Sequence, residues 1–174
     1  MWTLGRDREK EHARKFLGPS KDSSLLEAVI DVVHDLVEGK ADAEAARLAL
    51  SRGFAEGGGG VWESTGSWLL KAGGEFPDFL SLWDVFAAHP SAATRFRACA
   101  FVVDLPENVA KKLLPVLLSD PSAKVRRKTA GDQHDTKRDW VHPVLIERRR
   151  VEADPRVIEA LDFAIGAIEA RRGP

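Results

Sequence analysis

A phrase in the second half of the chain occurs twice in close form. His89-Pro90-Ser91-Ala92-Ala93-Thr94-Arg95 returns as Asp120-Pro121-Ser122-Ala123-Lys124-Val125-Arg126, a shift of 31 positions. A weaker third copy follows as Asp154-Pro155-Arg156-Val157. A period of about 20–50 residues marks repeat architecture, in which each copy buries its apolar face only by stacking on its neighbours. The repetition also extends beyond the phrase. Phe79, Leu82, Trp83 and Phe86 form an apolar stripe ahead of Pro90, and Ala110, Leu113, Leu114 and Leu117 take the same offsets ahead of Pro121. A whole buried face recurs in register.

Spacings of three and four predict helix along most of the chain. Ser23-Ser24 are placed to cap a helix running through Val37, with Leu25, Leu26, Val29, Val32, Val33 and Leu36 on one side and Glu38-Gly39 ending it. Alanine-rich Ala41–Arg52 predicts a second helix stopped at Gly53, and Gly57 to Gly60 read as a flexible break. Trp62–Ala72 predicts a third, closed by Gly73-Gly74. After each repeat proline a second helix is expected, over Ala92–Val103, Ala123–Gly131 and Arg156–Arg171, because proline breaks one helix and suits the first turn of the next. A polar linker, Gly131 to Lys137, precedes the third copy, followed by Trp140 to Glu152. No run alternates with period two, so no sheet is expected.

At 174 residues the expectation is one domain, with 1–75 a helical N-terminal part and 76–171 the repeats. Hydrophobic residues at 44% and charged residues at 30% exclude a disordered or membrane-embedded chain. Met1 to Lys15 has no apolar core of a secretory signal, no run approaches the roughly 20 apolar residues of a membrane span, and Cys99 is the single cysteine. A cytoplasmic location is therefore expected. The net charge of −1 is unevenly spread: residues 21–90 carry 5 Lys/Arg against 12 Asp/Glu, and 91–174 carry 16 against 12. The acidic stretch precedes a mildly basic one.

Asp120-Pro121, Val125-Arg126 and the small Thr129 and Ala130 resemble the HEAT-repeat family. The first copy keeps Arg95 and the small Ala98 with His89 in place of the aspartate; in the third, Ile158 stands after Val157 where arginine would be. The resemblance covers about residues 76–171. It implies an all-α fold of antiparallel helix pairs stacked as a short HEAT-like α-solenoid. It also implies that Arg95, Asp120 and Arg126 support turns and the joints between copies, and that the second helices line a concave face.

Neither a His-Glu-x-x-His motif nor a Cys/His cluster is present, and the glycine run lacks the Lys-Ser/Thr of a phosphate loop, so no metal and no cofactor are expected. His134, Asp135, Asp132 and Asp139 read as a solvated linker, and Cys99 as an inert core thiol. The candidate site is basic. Arg97 and Lys128 occupy equivalent places two residues after each repeat arginine, and Lys124, Arg127 and the run Arg148, Arg149, Arg150 extend it, with Trp140 as an aromatic anchor. A pI near 6.5 favours an acidic protein surface over nucleic acid as the partner.

The expected function is a non-enzymatic protein-binding module, an adaptor or a bacterial immunity-type inhibitor of a toxin. In the inhibitor reading, acidic residues 21–90 would face a basic nuclease. The alternative rests on Lys137-Arg138-Asp139-Trp140, which is similar to the aromatic, aspartate and basic cleft of HEAT-like alkylpurine DNA glycosylases.

Overall fold

Two compact units make up the chain, the first ending at Leu82 and the second beginning at Trp83. The computed structural model describes residues 5–40 and 42–172, and among these there is helix and no strand. Helices pack in pairs, and the fold is all-α. The division falls seven residues beyond the position where the repeats were expected to begin. No helix among the described residues is long and apolar enough to cross a membrane. Met1–Leu4, the start of the stretch expected to lack a signal, lie outside the described residues, as does Ala41, the expected first residue of the second helix.

Unit 1 comprises α1 (Arg6–Leu17), α2 (Lys21–Val37), α3 (Ala43–Glu56), α4 (Gly59–Glu75) and a 3₁₀ turn, Pro77–Ser81. The α2 cap is Ser20 rather than Ser23-Ser24: its side chain accepts the Ser23 N–H at 3.1 Å, and Ser23 itself is buried. Gly39, at φ 68°, ends the helix as expected. Val29, Ile30 and Val33 are fully buried, each contributing about 1.5–3 kcal/mol.

Asp42 caps α3 through the Ala45 N–H at 2.7 Å. Gly53 does not stop this helix. It lies inside it, where an added Cβ would stand 2.7 Å from both Thr65 Oγ1 and Val29 Cγ2. Its bareness serves the close approach of α2, α3 and α4. The expected flexible break shrinks to a corner, Gly57-Gly58, fastened by the Gly58 N–H donating to Asp22 Oδ1 at 3.1 Å. Gly59 and Gly60 already belong to α4, and Gly73 and Gly74 lie within it.

α1 is the helix with no predicted counterpart. Only Ala13 of its twelve residues is buried. Its pairings run Arg6 to Asp35 (2.5 Å), Lys10 to Asp31 (2.7 Å) and Arg14 to Glu27 (2.6 Å), so it lies antiparallel on α2. Cations at every fourth position meet carboxylates at every fourth position, one per turn. Much of the acidity of residues 21–90 is thus answered within the unit.

Unit 2 contains α5 (Leu82–Ala87, from Trp83 onward), α6 (Ala92–Cys99), α7 (Glu107–Leu118), α8 (Ala123–Gly131), a 3₁₀ turn Asp132–Asp135, α9 (Val141–Val151) and α10 (Pro155–Arg172). α8 packs against α6, α7 and α10, and α9 packs against α10. Both apolar stripes are buried, with Trp83 set edge-on to Phe86 and tilted on Phe101. α6 ends four residues before the expected Val103. From Ala100 the N–H groups bond three residues back, to Arg97, Ala98 and Cys99, which tightens the chain into turns that bury Phe101, Val102 and Leu105. The Gly131–Lys137 linker is anchored: Gln133 and Thr136 are buried, and Arg171 donates to the carbonyls of His134 and Thr136.

Candidate functional site

The repeated arginines stand in the joints between copies. Arg95 Nη1 donates to the carbonyls of His89 (2.8 Å) and Pro90 (2.9 Å), closing its own turn. Its Nε and Nη2 reach forward to Asp120 Oδ2 (2.6 Å) and Oδ1 (3.1 Å). Arg126 repeats the arrangement: Nη1 to the carbonyls of Asp120 and Pro121, Nε and Nη2 to Glu152 at 2.8 and 2.9 Å. Planar, bidentate pairing of this kind fixes orientation as well as charge.

The forward partner in the third copy is Glu152, not Asp154. Asp154 instead caps α10, accepting from the Arg156 and Val157 N–H groups at 2.9 and 3.3 Å. Glu152 also receives Arg148 Nη2 at 2.6 Å, and its own Oε1 accepts the N–H groups of Ala153 and Asp154. Paired first with Arg126 and then with Arg148, its carboxyl is held well below the usual carboxylate range. In the first copy His89 Nδ1 accepts the Ser91 N–H at 3.1 Å, the same turn contact that Asp120 Oδ1 makes with Ser122 at 2.8 Å. Counted from the prolines, the third copy has Ala160 where Arg95 and Arg126 stand, so no guanidinium continues the series there.

The expected basic residues divide in two. Arg148 is bound to Glu152, Arg149 to Asp162 (2.6 Å), Arg150 to Glu147 (2.9 Å) and Lys128 to Asp132 (2.7 Å). Lys124 and Arg127, both on α8, remain exposed and form no ion pair among the described residues. The Lys124 ammonium lies 4.8 Å from the Phe96 ring centroid, an adhesion that leaves its outer side to solvent. Arg97, in the equivalent place to Lys128, is half-buried on α6.

Trp140 is half-buried, with the Lys111 ammonium 5.7 Å from its ring centroid and its indole N–H buried without a hydrogen-bond partner. Neighbouring Asp139 is exposed and paired with Arg172 at 3.1 Å. The linker acids each meet a cation or imidazole: Asp132 meets Lys128, and Asp135 meets His134 at 3.0 Å. Cys99 donates to the Arg95 carbonyl at 3.2 Å and receives the Thr129 hydroxyl at 3.0 Å, and burial pushes its thiol up to about 12. A thiol so held is not a nucleophile at neutral pH.

Unit 1 holds a feature without a counterpart in the repeat pattern, a groove of about 880 Å³ between α1 and α4. Its floor is Leu26 and Ile30 from α2 with Ala13, Leu17 and Trp68; Arg8, His12, Glu63 and Lys71 stand along its edges. Phe16 flanks it, 73% exposed and tilted against His12 at 4.4 Å. Apolar periodicity in α2 marked the floor; α1 has too few apolar residues to announce the wall.

Compared with protein-family models, with curated proteins and with solved structures, the chain gives no match.

Proposed function

We propose that this chain is a non-enzymatic protein-binding module whose second unit is HEAT-like and meets an acidic protein surface through α8. The observation behind this is the division of labour among the cations. Arg95 and Arg126 are consumed in the joints, the Arg148–Arg150 run and Lys128 are answered by their own carboxylates, and Lys124 and Arg127 face solvent. Charges left outward on a rigid helix steer an oppositely charged partner and fix its register. Arg97 lies on α6, which packs against α8, and Trp140 lies just before α9 in the same unit. An adaptor or a toxin inhibitor would both use such a surface.

The test is affinity capture with the intact chain, identification of the bound protein, and titration of that protein against two variants. Lys124→Glu/Arg127→Glu should weaken binding at least tenfold, whereas Arg149→Glu, whose cation is already answered, should change it little. Retention of the partner by the double reversal would sink the α8 assignment. Retarded duplex DNA or excised alkylated bases would replace the reading with the glycosylase one.

A further inference from the structure

Phe163 stands 59% exposed on α10, whereas Val157, Leu161, Ile165 and Ile168 of the same helix are buried. Its surroundings are set by α8, which packs against α10. Arg126, in the first turn of α8, bonds Glu152 just before α10 begins, and Arg171 near the end of α10 donates to the His134 and Thr136 carbonyls just past α8. The two helices therefore run parallel with their starts side by side. Counted from the caps Ser122 and Asp154, Lys124, Arg127 and Gly131 stand level with Arg156, Glu159 and Phe163. Steps of three and then four put each trio on one helix face. The buried pairs Val125 with Val157 and Thr129 with Leu161 keep the same register.

His134 ties the far ends of the trios together. Its Nδ1 donates to the Gly131 carbonyl at 2.8 Å, and its ring lies tilted on Phe163 at 5.3 Å. Where a side chain on Gly131 would begin, nothing lies within 4 Å. The result is an apolar notch, walled by Phe163 and the His134 ring and open over Gly131. The near ends of the trios are cationic. Lys124, Arg127 and Arg156 are exposed and form no ion pair among the described residues, and Glu159 is the one acid of the six. Arg127 and Lys124 precede Gly131 by one and by two helical turns, about 6 and about 10 Å along the axis.

We propose that the partner of the α8 surface binds through an extended acidic segment carrying one large apolar residue, whose side chain seats in the notch over Gly131 against Phe163. This rests on the α8 reading and adds to it the contribution of α10 and the form of the partner. Carboxylates of the segment meet Arg127, Lys124 and Arg156. Side chains on one side of an extended chain recur about every 7 Å, so the acids stand about two and about four positions from the apolar residue. The aromatic contact supplies the central anchor that exposed charges alone lack.

The probes are two labelled peptides, acetyl-Glu-Glu-Ser-Glu-Ser-Phe-amide and its counterpart with alanine in place of phenylalanine, titrated into the intact chain and followed by amide NMR. The phenylalanine peptide should bind wild type at least fivefold tighter and shift the amides of Gly131 and Phe163. Gly131→Leu fills the notch from a backbone position of ordinary helical geometry, φ −61° and ψ −40°, so the fold is kept. It should abolish the phenylalanine advantage and leave the alanine peptide's affinity unchanged. Phe163→Ala should abolish the advantage too, and Arg156→Glu should weaken both peptides. Equal binding of the two peptides to wild type, or an advantage that survives Gly131→Leu and Phe163→Ala, overturns the notch and leaves the α8 assignment standing. No binding of either peptide, or binding unchanged by Lys124→Glu/Arg127→Glu, overturns both.

Discussion

Arg126 grips Glu152 through two parallel hydrogen bonds and passes over Asp154, the residue that occupies the position of Asp120 in the repeat. The same joint is therefore made with two different carboxylates in successive copies. A glutamate two residues earlier reaches the guanidinium, while the aspartate in phase is free to cap α10. The two acids can be told apart by what their loss does.

Glu152→Ala should destabilise unit 2 by about 3 kcal/mol, because the Glu152 side chain is 2% exposed and its removal leaves Arg126 and Arg148 unanswered. Asp154→Ala should cost about 1 kcal/mol, as the loss of a helix cap. Urea unfolding of both variants checks the ranking; equal losses would remove Glu152 from the joint.

Acid should weaken the protein partly through the same residue. The Glu152 carboxyl is lowered in the folded state by Arg126 first and by Arg148. Its contribution is thus complete above the unfolded value of about 4.3 and fades as pH falls toward the folded one. Glu27, lowered by Arg14, and Glu38, lowered by Lys40, act in the same direction from more exposed positions. Unfolding free energies at pH 7, 5 and 3 should fall for wild type and fall visibly less for Glu152→Gln. Parallel profiles would contradict the assignment.

Cys99 should report the opening of unit 2. Buried and raised to about 12, its thiol should react with an aromatic disulfide reagent only as fast as the unit opens, and at once in denaturant. Rapid labelling of the native protein at pH 8 would show that the Thr129 and Arg95 contacts do not enclose it.

Two glycines should respond in opposite directions to alanine. Gly53→Ala gains helix propensity but drives a methyl against stiff Thr65 and Val29, for a net loss of about 1–3 kcal/mol. Gly166, inside α10 with nothing near its missing Cβ, should gain up to about 1 kcal/mol. Thermal unfolding of the two variants decides it.

These cases show where the sequence was legible. Prolines at a fixed shift, with an apolar stripe in phase, mark the breaks and the buried faces by spacing, while the place of the arginines in the joints came from the resemblance to HEAT repeats. The role of Gly53 is not legible, because a glycine that ends a helix and one that admits a neighbour look alike until the neighbour is placed. α1 escaped because a helix with one buried residue has no apolar stripe. Its signal was the matching phase of Arg6, Lys10 and Arg14 with Glu27, Asp31 and Asp35. The basic run showed its sign but not its neutralisation, although Glu147 three residues before Arg150 was a visible partner.

Each joint arginine uses Nη1 for the turn behind it and its other two nitrogens for the carboxylate ahead. The connection therefore has a direction, and its natural quantum is the copy. Excising or duplicating one full copy leaves every guanidinium with a turn to close and an acid to meet; Arg95 would face Glu152 as it now faces Asp120. The two joints already differ in span, 25 residues from Arg95 to Asp120 and 26 from Arg126 to Glu152, so a change of acid takes up a small change in length. Shortening or lengthening this half of the chain by a whole helix pair therefore keeps the bonding of its joints.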